Sequence, residues 1–170
     1  VARGAGTGLS GGALPLGNGV LLSLAKFMRI VEIDERARTA RVQPGVRNLA
    51  ISDAVAPLGL YYAPDPSSQI ACSIGGNVAE NSGGIHCLKY GLTVHNIVKL
   101  RIATIEGEIL EIGNEALVGL GWGALSERTL AEEAASPRIV DLKLGFAGHF
   151  KVGYWAPAEV KMALRKTLFK

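Results

Sequence analysis

The segment Pro64-Asp-Pro-Ser-Ser-Gln-Ile-Ala-Cys-Ser73-Ile-Gly-Gly-Asn77-Val-Ala-Glu-Asn81-Ser-Gly-Gly84-Ile-His-Cys-Leu-Lys-Tyr-Gly91 organises the chain. Two prolines fix φ where it begins, and the Gly75-Gly76 and Gly83-Gly84 pairs permit backbone conformations that a side chain forbids. Between the pairs stand small residues and amides, Ser73, Asn77, Ala79, Asn81 and Ser82. Such a stretch can press main-chain N–H groups and short polar side chains against a flat or anionic ligand, since nothing bulky holds the backbone away. Two readings follow, a cofactor loop and a Gly-rich structural loop, because turn chemistry alone also selects Gly, Asn and Ser.

Glycine is the compositional outlier around it. The 170 residues contain 22 glycines, where average usage of roughly 7% predicts about 12, and many cluster at 4 to 12 and 75 to 91. A hydrophobic content of 48% with 19% charged residues describes a globular chain of about one domain and excludes a disordered one. The net charge is +3. Its only basic concentration, Lys161, Arg165, Lys166 and Lys170, has no interleaved aromatics to stack bases, which argues against a nucleic-acid surface. Cys72 and Cys87, the only cysteines, fit neither a CxxC pair nor a zinc pattern, so free thiols are expected. No apolar run nears the roughly 20 residues of a membrane span, and no signal peptide opens the chain, so the expected compartment is the cytoplasm. A start at Val1 just ahead of a loop gives the expectation of a piece of a longer protein.

The second glycine cluster follows Val1-Ala2, the expected tail of a strand. Within Arg3-Gly4-Ala5-Gly6-Thr7-Gly8-Leu9-Ser10-Gly11-Gly12-Ala13-Leu14-Pro15, the spacing Gly6-x-Gly8-x-x-Gly11 satisfies the dinucleotide pattern. A Rossmann site needs the third glycine to open a helix. Pro15, Gly17, Asn18 and Gly19 follow instead, and then the strand-like Val20 to Leu24, so the better expectation is a loop between two strands whose bare amides form an anion nest.

Short extended segments are expected at Arg29 to Ile33 and Thr39 to Gln43, joined by the turn Asp34-Glu35-Arg36. A helix is expected over Val46 to Pro57, with Val46, Leu49, Ala50 and Val55 on one face, and a strand over Leu60 to Ala63. Asn96 to Ile105 and Ile109 to Ile112 form a hairpin across Glu106-Gly107-Glu108. Beyond Glu115 the expected elements are a Gly-rich apolar run at Leu117 to Trp122, a helix at Ser126 to Ala135 and a strand from Pro137 to Leu144. A last helix opens at Pro157, on the recurrence of Val160, Leu164 and Leu168.

Taken together, Arg3 to Pro15, Val42-Gln-Pro-Gly45, Tyr62-Ala-Pro-Asp-Pro66, Ser73-Ile-Gly-Gly-Asn77 and Lys89-Tyr-Gly91 resemble the FAD-binding (PCMH-type) domain of the vanillyl-alcohol-oxidase superfamily. The wording is nearest to glycolate oxidase FAD-binding subunits, with FAD-linked D-lactate and D-2-hydroxyacid dehydrogenases next. The resemblance covers about residues 1 to 116 and implies an α+β fold, a mixed or antiparallel sheet flanked by helices, incomplete at both ends. It leaves residues 117 to 170 as a diverged or unrelated segment with no cap domain.

By the same resemblance Gly4, Ala5, Gly6, Thr7 and Gly8, followed by Gly12 and Ala13, match the pyrophosphate loop. Pro64, Asp65, Ser73, Gly75, Gly76, Asn77, Asn81 and Gly84 match positions that line FAD. Relatives that attach FAD covalently use a histidine where Thr7 stands, so non-covalent FAD is implied. His86 and Cys87 are candidate flavin neighbours, and the catalytic residues are not identified. The family's Gly-Ser-Glu-Gly-x-Leu-Gly motif is echoed only in the glycines of Gly119 to Leu125, and His149 is isolated.

The implied activity is oxidation of a 2-hydroxy acid, glycolate or D-lactate, to the 2-oxo acid. The implied partners are that substrate, further oxidase subunits and an electron acceptor, with no metal. Against it stands a non-catalytic or truncated fragment acting at most as a flavin-binding or interaction module. A NAD-binding Rossmann protein is the third alternative.

Overall fold

A computed structural model describes residues 1–104, 106–113 and 155–167. The chain opens with two-residue strands β1 (Ala2–Arg3) and β2 (Leu22–Ser23), paired in parallel with Ala2 opposite Leu22. As expected, a loop and no helix joins them. β3 (Ile30–Asp34) and β4 (Thr39–Val42) make an antiparallel hairpin whose turn is held by Asp34 Oδ1, which accepts from the Ala37 amide at 2.8 Å.

α1 spans Asn48–Val55 and continues as a 3₁₀ turn over Ala56–Leu58. Pro57 has no amide to extend it, and Gly59 at φ +68° ends it in the left-handed conformation that glycine adopts without strain. The helix is shorter than expected and buries Asn48, Ile51 and Val55, leaving Leu49 partly exposed. Val46 is buried just ahead of it, in the approach segment. β5 (Leu60–Tyr61) leads into the Pro64 segment, α2 (Ile74–Glu80), the one-turn α3 (Cys87–Tyr90) and a 3₁₀ turn at Thr93–Asn96. The expected hairpin is present as β6 (Ile97–Thr104) and β7 (Ile109–Gly113). The expectations at 117 to 144 lie outside the described residues.

The last helix is not formed. Residues Trp155–Ala163 are a strand, β8, followed by the short β9 (Arg165–Lys166) paired with β5. β8 lies in the middle of a five-stranded antiparallel sheet of order β3-β4-β8-β6-β7. A recurrence of four is also twice the strand period of two: Val160, Met162 and Leu164 all bury, at 0%, 0% and 2% exposure. Pro157 falls beside the register irregularity between Arg101 and Ile102, one of the few places where a strand interior accepts a residue without an amide.

One face of the sheet, with Ala40, Val42, Leu100, Ile102, Val160 and Met162, forms the core together with Ile51 and Val55 of α1 and Ile74 and Val78 of α2. α2 is therefore fixed to the sheet by its apolar side, and its glycine-bearing first turn is free to meet the loop from β1.

A glycine-rich loop laid along a short helix

The loop that leaves β1 carries positive φ at Gly6 (+72°) and Gly11 (+76°), the two places where it needs glycine for its path. Gly4 is there for another reason. A Cβ on it would lie 2.1 Å from Ser73 Oγ, with the Gly76 amide nitrogen 3.8 Å away, so only a residue without a side chain lets the loop close onto Ser73 and the first turn of α2. Further along, a Cβ on Gly8 would lie 3.6 Å from Glu80 Oε1, and Ser10 Oγ is 3.0 Å from Glu80 Oε2. The loop thus runs along α2 from its first residue to its last. Ala5, Thr7 and Gly8 are exposed, while Gly12 and Ala13 form the centre of a turn closed by the Leu14 amide on the Gly11 carbonyl.

Ser73 precedes α2 in extended conformation and does not cap it. Its hydroxyl is buried, in a residue only 5% exposed, and has no hydrogen-bond partner among the described residues. A buried hydroxyl left unpaired costs on the order of 1–3 kcal/mol, so such a group points to something that satisfies it. The glycine pairs of the long segment serve differently from expectation. Gly75, Gly76, Gly83 and Gly84 have no positive φ. Gly75 and Gly76 are helical, and Gly75 donates its amide to the Pro44 carbonyl at 2.9 Å. Gly83 and Gly84 are close approaches: a Cβ would sit 2.8 Å from Leu92 Cδ2 in the first and 2.2 Å from Asp65 Oδ1 in the second.

A buried amide pair ties these parts together. Asn77 Nδ2 donates to Asn48 Oδ1 at 2.9 Å, and Asn48 Nδ2 donates to the Pro64 carbonyl at 2.9 Å. Asn77 Oδ1 in turn accepts from Ser82 Oγ at 3.3 Å, so its side chain is occupied by the protein on both sides. Asn81 ends α2 at φ +50°, and its Oδ1 accepts from the Val94 amide at 3.0 Å. Of the residues anticipated from sequence, Gly4 and Gly8 meet Ser73, Gly76 and Glu80 along α2, while Gly6 lies against the Arg3 side chain and Gly75 is bonded to Pro44. Pro64, Asp65 and Gly84 form an adjoining group joined to it through Asn48, while Asn77 and Asn81 act as braces. Asn48 and Glu80 were not anticipated. A lone amide on the buried stripe of α1 was the available sign of the first, since such a group needs a partner.

Asp65 Oδ2 lies 2.5 Å from His86 Nδ1, and Asp65 Oδ1 accepts from the His86 amide at 3.4 Å. Next to this pair, the Tyr61 and Tyr90 rings stand edge to face, 6.1 Å apart. Burial and a hydrogen bond to Tyr90 push the Tyr61 phenol up to about 12, whereas the Tyr61 bond, with help from Lys89, lowers that of the half-buried Tyr90. Desolvation raises the Tyr62 phenol further. Cys72 is buried and Cys87 half-buried, both as free thiols. Among the described residues no three potential metal ligands stand together, and no helix is long and apolar enough to cross a membrane.

Bare amides beside an unpaired, buried hydroxyl suit the phosphate oxygens of a dinucleotide, so the residues present fit FAD. The comparisons agree. The chain is 67% identical over 132 residues to the glycolate oxidase subunit GlcD of Escherichia coli K12, covering 78% of this chain and 26% of that protein. It is 45% identical over 115 residues to GlcD of Bacillus subtilis 168, covering 68% and 24%. The solved structure of an alkyldihydroxyacetonephosphate synthase superposes with a TM-score of 0.67 at 21% identity, over 98% of this chain and 27% of that one, which shows a shared fold. The chain thus spans about a quarter of the length of the curated relatives it matches. With the FAD binding domain family matching residues 1–113, the β1 loop, α2 and the sheet beneath them included, the chain belongs to that family of FAD-binding proteins.

Proposed function

We propose that this chain is the flavin-holding part of a flavoprotein oxidoreductase that oxidises a 2-hydroxy acid, glycolate or D-lactate, to the 2-oxo acid. The observation that carries the reading is the unpaired Ser73 hydroxyl facing a loop with no room for a side chain at Gly4. The amides of Gly4 to Gly8 and the Ser73 hydroxyl would hold the pyrophosphate, with the Arg3 guanidinium close to Gly6 supplying positive charge. Pro64, Asp65 and Gly84 would border the flavin, which when bound supplies the two-electron acceptor for the substrate. Thr7 has no group that bonds covalently to a flavin, so the cofactor is held non-covalently. The glycolate oxidase relatives are subunits, and by analogy we place this chain with further oxidase subunits and an electron acceptor, in the cytoplasm. The family model matches residues 1–113, and β8 and β9 are drawn from the segment beyond it.

Gly6→Asp tests the flavin site. It forces a side chain into positive φ and sets a carboxylate against the Arg3 guanidinium, where a Cβ already lies 2.5 Å from one terminal nitrogen. Removing that cation from play and adding a negative charge beside phosphate is expected to weaken FAD by roughly two orders of magnitude, on the scale of a few kcal/mol for like charges a few ångströms apart. FAD titration followed by fluorescence quenching reads the effect, and unchanged affinity contradicts the site. A second reading is favoured by the quarter-length coverage of the relatives: a flavin-binding module without turnover of its own. Reduction of an artificial acceptor by glycolate or D-lactate with this polypeptide alone separates the two.

A further inference from the structure

The fold builds a second concave site that shares no residue with the β1 loop or α2. A cavity of about 620 Å³ lies where the β3–β4 turn, the 3₁₀ turn after α1, β5 and β9 meet, lined by Glu35, Arg36, Arg38, Leu58, Leu60 and Lys166. That volume falls within the roughly 300–1,000 Å³ of small-molecule pockets. Main-chain pairing sets its walls. The Leu164 amide donates to the Arg38 carbonyl at 2.8 Å, the Thr167 amide donates to the Gly59 carbonyl at 2.8 Å, and Leu60 pairs with Lys166 across β5 and β9.

Three cations share the cavity with one carboxylate. Among the described residues no ion pair joins Arg36, Arg38 or Lys166 to an acidic group, so Glu35 leaves a surplus of two positive charges. Like charges gathered in a concave site repel one another and draw in an anion. Leu58, at 39% exposure, and Leu60, at 3%, supply an apolar wall beside them.

Arg38 is the sharper sign. It stands at φ +52°, and the only other described non-glycine residue with positive φ is Asn81, of a type that tolerates it. The turn itself does not need an arginine there. Asp34 Oδ1 holds the Ala37 amide, and the amide of residue 38 reaches the Glu35 carbonyl at 3.3 Å through the main chain alone. A long charged side chain held on left-handed backbone points to what that side chain reaches.

We propose that Arg36, Arg38 and Lys166 bind the phosphate group of a small phosphate monoester, whose organic part lies against Leu58 and Leu60. Such a phosphate carries about −1.5 to −2 charges at neutral pH, which matches the surplus, whereas one carboxylate leaves part of it uncompensated. Guanidinium forks pair with phosphate oxygens two at a time, and the lysine adds a point charge. The site stands apart from the flavin reading and does not depend on it.

The test is an NMR titration of the flavin-free 170-residue chain with phenyl phosphate, inorganic phosphate and chloride at matched ionic strength, following the Arg38 side chain and the Leu58 methyls. Saturable shifts at both residues are expected, with phenyl phosphate the tighter of the two phosphates. Arg38→Gly separates binding from folding. Glycine takes φ +52° without strain, so this variant should melt at or above the wild-type temperature while phenyl phosphate weakens about tenfold, the scale of one charge-assisted hydrogen bond. Lys166→Met should weaken it several-fold, and FAD affinity should be unchanged in both. The site is overturned by absence of saturable shifts, by an equal response to chloride, by equal affinity for the two phosphates, or by wild-type affinity in Arg38→Gly. A parallel loss of FAD affinity overturns it too, since these cations would then serve the flavin.

Discussion

Val160→Asp is expected to abolish the cooperative fold. Val160 is fully buried in β8, opposite Val42 on one neighbouring strand and Leu100 on the other. A carboxylate there is shut off from solvent, and an unpaired buried charge costs several kcal/mol even after it neutralises. Loss of the valine contacts adds about 1–2 kcal/mol. The sum reaches the roughly 5–15 kcal/mol that stabilises an ordinary domain. Circular dichroism during heating should show no cooperative transition. A melt within a few degrees of wild type would mean that residue 160 is not at the centre of the sheet.

Asn48→Ala is the second large effect. The substitution leaves the Pro64 carbonyl and the Asn77 amide without partners at a site only 1% exposed. Each orphaned buried group costs about 1–3 kcal/mol, giving a loss of about 2–4 kcal/mol. A chain of this size loses about 2–4 °C per kcal/mol, so the melting temperature should fall by about 10 °C. Because Asn48 couples the Pro64 turn to α2, flavin affinity should fall as well. Asn77→Ala removes part of the same network, and the double variant should be less destabilised than the two single losses added together. Strict additivity would contradict a shared network.

Much of this architecture is legible in the residues. Pro15, Gly17 and Gly19 exclude a helix after the Gly6-x-Gly8-x-x-Gly11 spacing, and the structure has a loop between two strands there. The β6–β7 hairpin follows from its branched residues and Gly107, which takes φ +85°. The α2 helix is hidden because two glycines in its first turn have poor helix propensity; Ile74 and Val78, buried against the sheet, hold it instead. β8 is hidden because a recurrence of four fits either period, and only its neighbours β4 and β6 decide between them. The glycine-rich loop is legible as a loop between two strands, but its contact with Ser73, 69 residues on from Gly4, is a product of the fold. The same holds for Asn48 with Asn77 and for Tyr61 with Tyr90, whose partners lie too far along the chain for spacing to reveal.

The most direct measurement of the central claim is the visible absorption spectrum of the purified chain after incubation with FAD and desalting. A flavin band that stays with the protein, and leaves it on acid precipitation, is the predicted result: a site assembled by the β1 loop and α2 that holds FAD without a covalent bond. A colourless protein after desalting would contradict it. Colour that remains with the acid precipitate would contradict the non-covalent attachment that Thr7 implies.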